Sequence, residues 1–150
     1  RSPSELKSLF ANKKMALFLM LLLLYGTGKN GKTTFTETIR RLVGDYALRV
    51  DIEALMQSKG QGQSATPSIA QMRGERFVLT SEVPENRKLN ESLVKDLTGG
   101  DTVTARFLFS NPFSFSPNHK LWIFGNHKPT ISGSDEGIWR RIRSVPPAMR

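Results

Sequence analysis

The chain has 150 residues, 22 of them basic and 13 acidic, for a formal net charge of +9. That length suffices for one domain with a real core, and the charge points either to a polyanionic partner or to ordinary solubility. With no cysteine and only His119 and His127 as histidines, a disulfide framework, a cysteine-built zinc site, a thiol nucleophile and a histidine-built metal centre are all excluded.

The first 14 residues are polar and read as helical or loose, and Lys13 and Lys14 precede an apolar run over 15–25. The run is too short for a bilayer, which takes about 20 residues. It also lacks an A-x-A-like cleavage site, so no membrane partner is expected. It reads instead as a buried parallel strand over 18–25.

That strand runs into Gly26-Thr27-Gly28-Lys29-Asn30-Gly31-Lys32-Thr33, with Thr34 next. The octet fills every position of G-x-x-x-x-G-K-[ST], the Walker A pattern. Glycines at 26, 28 and 31 let the backbone turn its N–H groups inward on phosphate oxygens. Lys32 can reach the β- and γ-phosphates, and the Thr33 hydroxyl can ligate Mg²⁺. A helix predicted over 33–43 directs its amino end at the same anion. The ligand class is therefore a nucleoside triphosphate, with residues 26–34 as the binding segment.

A second strand is predicted over 46–50 and a short helical piece over 51–57. Residues 58–68 read as a loop, and 69–73 as a helical turn stopped by Gly74. A third strand over 76–81 ends at Glu82, and a helix over 88–97 is closed by Gly99 and Gly100. Val103, Ala105, Phe107 and Phe109 alternate ahead of Ser110-Asn111-Pro112, which predicts a β-hairpin over 102–115. A fourth core strand over 120–125 ends at Asn126. Residues 129–137 read as a loop, and 138–145 carry a basic cluster. No internal repeat is present.

Strands alternating with helices predict an α/β fold around a central parallel sheet, with ligands at the carboxyl ends of the strands. Glu82 is the candidate carboxylate for Mg²⁺ or the attacking water, against the alternative of a surface glutamate; Glu85 is a weaker second. Asn126 can hydrogen-bond a γ-phosphate or a water, although asparagine is also common in turns.

Taken together these residues resemble the superfamily 3 helicase domain of phage and plasmid primase-helicases. The resemblance rests on Tyr25-Gly-Thr-Gly-Lys-Asn-Gly-Lys-Thr-Thr34, Gly74-Glu-Arg-Phe-Val-Leu-Thr-Ser-Glu82, residues 95–106, residues 120–129 and Asp135-Glu-Gly-Ile-Trp-Arg-Arg-Ile142, and it runs from about residue 20 to 146. It implies an AAA+-like P-loop NTPase that uses ATP and Mg²⁺, usually as a homo-hexamer moving along single-stranded or forked DNA. It implies that Lys32 and Thr33 hold nucleotide and metal, that Glu82 is the Walker B acid, and that Asn126 is the sensor. It also implies that Arg140 or Arg141 reaches the neighbouring subunit's ATP; the sequence leaves open which, and a DNA-phosphate patch or a solvated basic face remains the alternative for the pair. The hairpin falls where this family contacts DNA, with Lys95 and Arg106 as phosphate contacts and Phe107 or Phe109 as a stacking platform or, alternatively, core. Its expected tip, Ser110-Asn111-Pro112, carries no cation.

The expectation is thus a helicase core over 18–150, after an ill-defined segment over 1–17, in a replication protein of a phage, plasmid or integrated element acting in the bacterial cytoplasm. The start at Arg1 and the end at Ala148-Met149-Arg150 suggest a fragment of a longer protein, truncated at its carboxyl end. Two other functions use the same features: a P-loop ATPase that remodels or loads proteins, and an inactive remnant that binds only nucleotide or DNA.

Overall fold

The computed structural model describes residues 21–26, 31–57, 66–80, 82–133 and 136–145. In chain order the elements are β1 (Leu21–Tyr25), α1 (Lys32–Val43), β2 (Ala47–Val50), α2 (Pro67–Gln71), β3 (Phe77–Thr80), α3 (Glu91–Gly99), β4 (Val103–Ala105), β5 (Phe113–Phe115), β6 (Lys120–Gly125), α4 (Glu136–Trp139) and β7 (Ile142–Val145). Five strands form one sheet in the order β2-β3-β6-β1-β7, and every neighbouring pair is parallel. Parallel neighbours need crossovers, so the connections run over the faces of the sheet.

Side chains alternate along each strand, and the two faces bury different sets. Leu21, Leu23, Val78, Leu121, Ile123 and Ile142 point to one face, where α2, α3 and α4 add Ile69, Val94, Leu97 and Ile138. Leu24, Phe77, Leu79 and Phe124 point to the other, where Ile39 and Val43 of α1 pack on them. Both faces are apolar because both carry helices, which explains the near-continuous apolar runs of β1 and β6.

The fifth strand corrects the expectation of four. Residues 138–145 read as a basic cluster, yet Ile142–Val145 pairs with β1 at the sheet edge. Only Ile142 of the four is buried, so the segment lacks the apolar signature of its neighbours. The helix expected over 88–97 begins at Glu91, capped by Asn90, whose Oδ1 accepts the Leu93 N–H at 3.2 Å. Lys88 and Leu89 instead make isolated bridges to Thr130 and Met56.

The hairpin is present but shorter than predicted. Val103 pairs with Phe115 and Ala105 with Phe113, leaving residues 106–112 as a wide tip. Phe109 has φ 59 and its side chain is fully exposed, so the period-two pattern does not continue as strand beyond Ala105. Phe107 stacks on Phe113 with centroids 5.9 Å apart, and Phe107, Leu108 and Phe109 together make an exposed apolar tip.

One buried group gives the fold a pH dependence. His119, at the amino end of β6, is buried, and neither ring nitrogen has a hydrogen-bond partner among the described residues. Burial pushes its pKa down from 6.5 to about 4. Between those values the unfolded chain binds the proton and the folded chain does not, so this contribution to stability is full above pH 6.5 and is lost as pH falls toward 4. The expected loss is about 3 kcal/mol across that window. Urea unfolding of the wild type and His119→Leu at pH 7 and pH 4 checks it: the difference between the two proteins should change by that amount, and a constant difference would refute the assignment.

Candidate active site

Because the main sheet is parallel, the carboxyl ends of its strands share one edge, and pairing register sets what meets there. Tyr25 lies beside Gly125, and the Gly26 N–H donates to the Gly125 carbonyl at 3.3 Å. Thr80 lies beside Ile123, which brings residue 82 level with 125. A Cβ on Gly125 would stand 2.9 Å from the Val83 nitrogen and 3.4 Å from the Glu82 Cα. Glycine at 125 therefore lets the backbone before Asn126 lie directly against Glu82 and Val83. The register thus brings Gly26, Glu82 and Asn126 to adjacent positions on three neighbouring strands, β1, β3 and β6.

Glu82 has φ 44, a left-handed conformation uncommon outside glycine. Val83 beside it is buried in the core, while Glu82 itself is exposed at the edge. Backbone held this way costs on the order of 1–3 kcal/mol and clusters at functional sites. An open cavity of about 430 Å³ adjoins Glu82, lined also by Arg49, Asp51, Glu53 and Pro84. Glu85 is exposed in the turn after β3.

Of the phosphate-loop segment, Thr27, Gly28, Lys29 and Asn30 lie outside the described residues. Its two ends are defined. Gly31 has φ 75 and caps α1, and Lys32 opens that 12-residue helix. The Lys32 Nζ donates to the Gly26 carbonyl at 2.6 Å, so the ammonium sits at the mouth of its own loop. Thr33 and Thr34 are exposed on the first turn, whereas Thr36 is buried and donates back to the Lys32 carbonyl at 3.0 Å. The first turn of α1 carries no acidic side chain, which leaves its positive dipole end available to an anion.

These donors suit a triphosphate with Mg²⁺. An ammonium, glycine-bounded backbone N–H groups and a helix amino end bind phosphate, and one hydroxyl with one carboxylate suits a hard cation that keeps most of its ligands as water and phosphate oxygen. Among the described residues no cluster of three or more histidines and carboxylates could hold a metal alone. Sequence reasoning missed Lys128, whose Nζ lies 3.9 Å from the centroid of the Tyr25 ring and so brings a further cation to the loop.

Arg140 and Arg141 are elsewhere. The Leu21 N–H donates to the Arg141 carbonyl at 3.0 Å, so this turn lies at the amino end of β1. Gly26 follows the other end, about 13 Å away along the strand. Neither arginine lies at the end of the sheet that carries Gly26, Glu82 and Asn126. The two also differ. The Arg141 guanidinium donates to the Lys95 carbonyl at 3.2 Å and lies over Gly99, at the carboxyl end of α3. Among the described residues Arg140 pairs with Glu136 alone, at 2.7 Å, and both side chains are about four-fifths exposed. Such a pair is screened and weak.

Lys95 is half-buried on α3, and Arg106 is exposed at the base of the hairpin tip, its backbone N–H donating to Thr66 Oγ1 at 3.3 Å. The structure thus brings Gly26, Lys32, Glu82 and Asn126 to one edge of the sheet, and Arg140 and Arg141 to the opposite edge.

A family profile matches residues 24–141, which is most of the chain. The chain belongs to DUF5906, a family of unknown function. Curated relatives of this DUF5906 chain include "Putative helicase L207/L206" of Acanthamoeba polyphaga mimivirus, 36% identical over 82% of the chain, and "Putative helicase 022R" of Frog virus 3, 31% identical over 81%. "Putative primase C962R" of African swine fever virus is 28% identical over 91%. The chain spans only 13%, 13% and 14% of their respective lengths. These relatives come from viruses of eukaryotes, so the expected phage or plasmid setting finds no support in them.

Among solved structures, the NrS-1 C-terminal region superimposes with a TM-score of 0.63 at 16% identity, covering 99% of this chain and 39% of that one. The JCV helicase superimposes with a TM-score of 0.53 at 13% identity, covering 93% and 40%. The fold of this DUF5906 member is therefore the one expected: an α/β fold of P-loop type with a central parallel sheet, flanking helices and an inserted hairpin. Among the described residues no helix is long and apolar enough to cross a membrane.

Proposed function

We propose that the chain is the ATPase core of a DNA helicase within a viral or mobile-element replication protein, acting as a homo-hexamer on single-stranded or forked DNA with ATP and Mg²⁺. One observation carries the reading: Gly26, Lys32, Glu82 and Asn126 meet at the carboxyl edge of three adjacent strands, while an exposed arginine waits at the opposite edge.

In this reading residues 26–34 cradle the phosphates, and Lys32 draws the β- and γ-oxygens toward the amino end of α1. Thr33 and Glu82 would hold Mg²⁺, which when bound would neutralise negative charge on the phosphates. Glu82 orients the attacking water, and Asn126 hydrogen-bonds the water or the γ-phosphate without adding negative charge. Arg140 enters from the next subunit, where its fork of N–H donors meets charge spreading over the transferred group. The hairpin contacts DNA through Arg106 and through stacking on the exposed Phe107 and Phe109, and Lys95 on α3 is a further phosphate contact.

The test is ATP hydrolysis with and without single-stranded DNA at low salt, because phosphate contacts weaken steeply as salt rises. Hydrolysis is expected to rise several-fold with DNA and to return to its basal rate as salt is added. Equal rates with and without DNA across that range would sink the helicase reading. A protein-remodelling ATPase is the second reading, and the apolar Phe107-Leu108-Phe109 tip favours it, since such a tip can also grip an extended polypeptide. Arg106→Ala and Phe109→Ala that leave DNA affinity unchanged would select it.

A further inference from the structure

Residues 132–133 and the turn that carries Arg141 are both fastened to helix α3. At the amino end of α3, the Oε1 of Glu91 accepts the Ser132 N–H at 2.6 Å and the Gly133 N–H at 2.9 Å. A Cβ at residue 133 would overlap Glu91 Oε2, so the approach depends on glycine there. The Gly133 carbonyl accepts the indole N–H of Trp139 at 3.2 Å, one residue before Arg140. At the other end of α3, Arg141 holds the Lys95 carbonyl and lies over Gly99. Gly100 then turns the chain with φ 83, and β4 of the hairpin begins at Val103.

Helix α3 is nine residues long and so spans about 13 Å. It runs from the loop behind Asn126 to the base of the hairpin, with the arginine turn tied along its length. A charged acceptor that gathers two backbone N–H groups is among the stronger polar contacts, and deleting it leaves both donors without that partner.

We propose that Glu91 is a positioning residue that aims Arg140 at the neighbouring subunit, and that α3 is the strut through which hairpin and arginine turn move together. This rests on the ATPase reading above. Glu91 touches neither nucleotide nor DNA in it; it acts through residues 132–133 and Trp139.

The test uses the full chain with three variants. Glu91→Ala is expected to raise amide exchange at Ser132 and Gly133, to leave nucleotide affinity unchanged, and to lower DNA-stimulated hydrolysis about 10–100-fold, the scale of a small misplacement of a reacting group. Glu91→Gln keeps an acceptor and should recover most of the rate. Gly133→Ala pushes the carboxylate away without deleting it and should reproduce the loss. Mixing Glu91→Ala with Lys32→Ala subunits should restore hydrolysis above either alone, because the first keeps its phosphate loop and the second its arginine turn.

Wild-type hydrolysis by Glu91→Ala despite raised amide exchange would overturn the proposal. So would a loss that Lys32→Ala subunits do not complement, since the defect would then lie in the variant's own nucleotide site or fold. A wild-type chain that hydrolyses no ATP overturns the ATPase reading, and this inference with it.

Discussion

Lys32→Ala is expected to lower ATP hydrolysis by at least about 10²–10³-fold, the loss typical of one preorganised electrostatic donor. Lys32 is the ammonium at the head of α1, held 2.6 Å from the Gly26 carbonyl across the mouth of the loop. A triphosphate bound there offers a stronger acceptor than a neutral carbonyl, so the same Nζ can turn from one to the other without moving the backbone. Alanine keeps the helix, since it is the best helix former, and Thr36 still anchors the first turn through its own hydroxyl. The variant should therefore fold and melt as the wild type does while losing turnover. Phosphate release and a thermal melt measured side by side check both halves. Near-normal hydrolysis in a folded Lys32→Ala protein would remove the loop from the mechanism.

The second large effect separates two adjacent arginines. Arg140→Ala is expected to lower hydrolysis about 10³–10⁵-fold with stability nearly unchanged, if Arg140 supplies the neighbouring subunit's phosphate with a guanidinium. Its pairing with Glu136 is exposed on both sides, so breaking it costs little. Arg141→Ala should do the reverse in stability, destabilising the fold by about 1–3 kcal/mol through its lost bond to the Lys95 carbonyl and its packing over Gly99. Any loss of turnover in Arg141→Ala should then come from the loosened arginine turn. Mixed assemblies sharpen the comparison: each Arg140→Ala subunit should silence the one wild-type site that it adjoins, so activity should fall in step with its share. If Arg141→Ala is the inactive, stable variant and Arg140→Ala the destabilised one, the assignment is inverted.

That Gly26, Glu82 and Asn126 gather at one end of the sheet was legible because the signals are local. Each of the three comes after a run of apolar residues that reads as a buried strand, and a parallel sheet brings such strand ends together. The partners of those residues were not legible. Glu91 and Ser132 are 41 residues apart, and nothing in either neighbourhood announces the other. The glycines at 125 and 133 read as punctuation, whereas each makes room for a specific neighbour. Strand β7 escaped because an edge strand with one buried residue carries almost no hydrophobic pattern. The hairpin was overextended for the opposite reason: Phe107 and Phe109 continue an unbroken alternation, but a positive φ at Phe109 takes the chain out of the extended region. Choosing between Arg140 and Arg141 was beyond any sequence rule, because two identical side chains differ only in which way the last turn of a four-residue helix points them.

If Arg140 serves a neighbour's nucleotide as proposed, its place at the amino end of β1, with Gly26 at the carboxyl end, bears on assembly geometry. Each polypeptide would then receive at one rim and give at the other. Head-to-tail contacts of that kind are heterologous, and they either close on themselves or continue as a filament. The angle between the two rims then fixes how many copies close the circuit. Dilution should extinguish turnover more steeply than it extinguishes nucleotide binding.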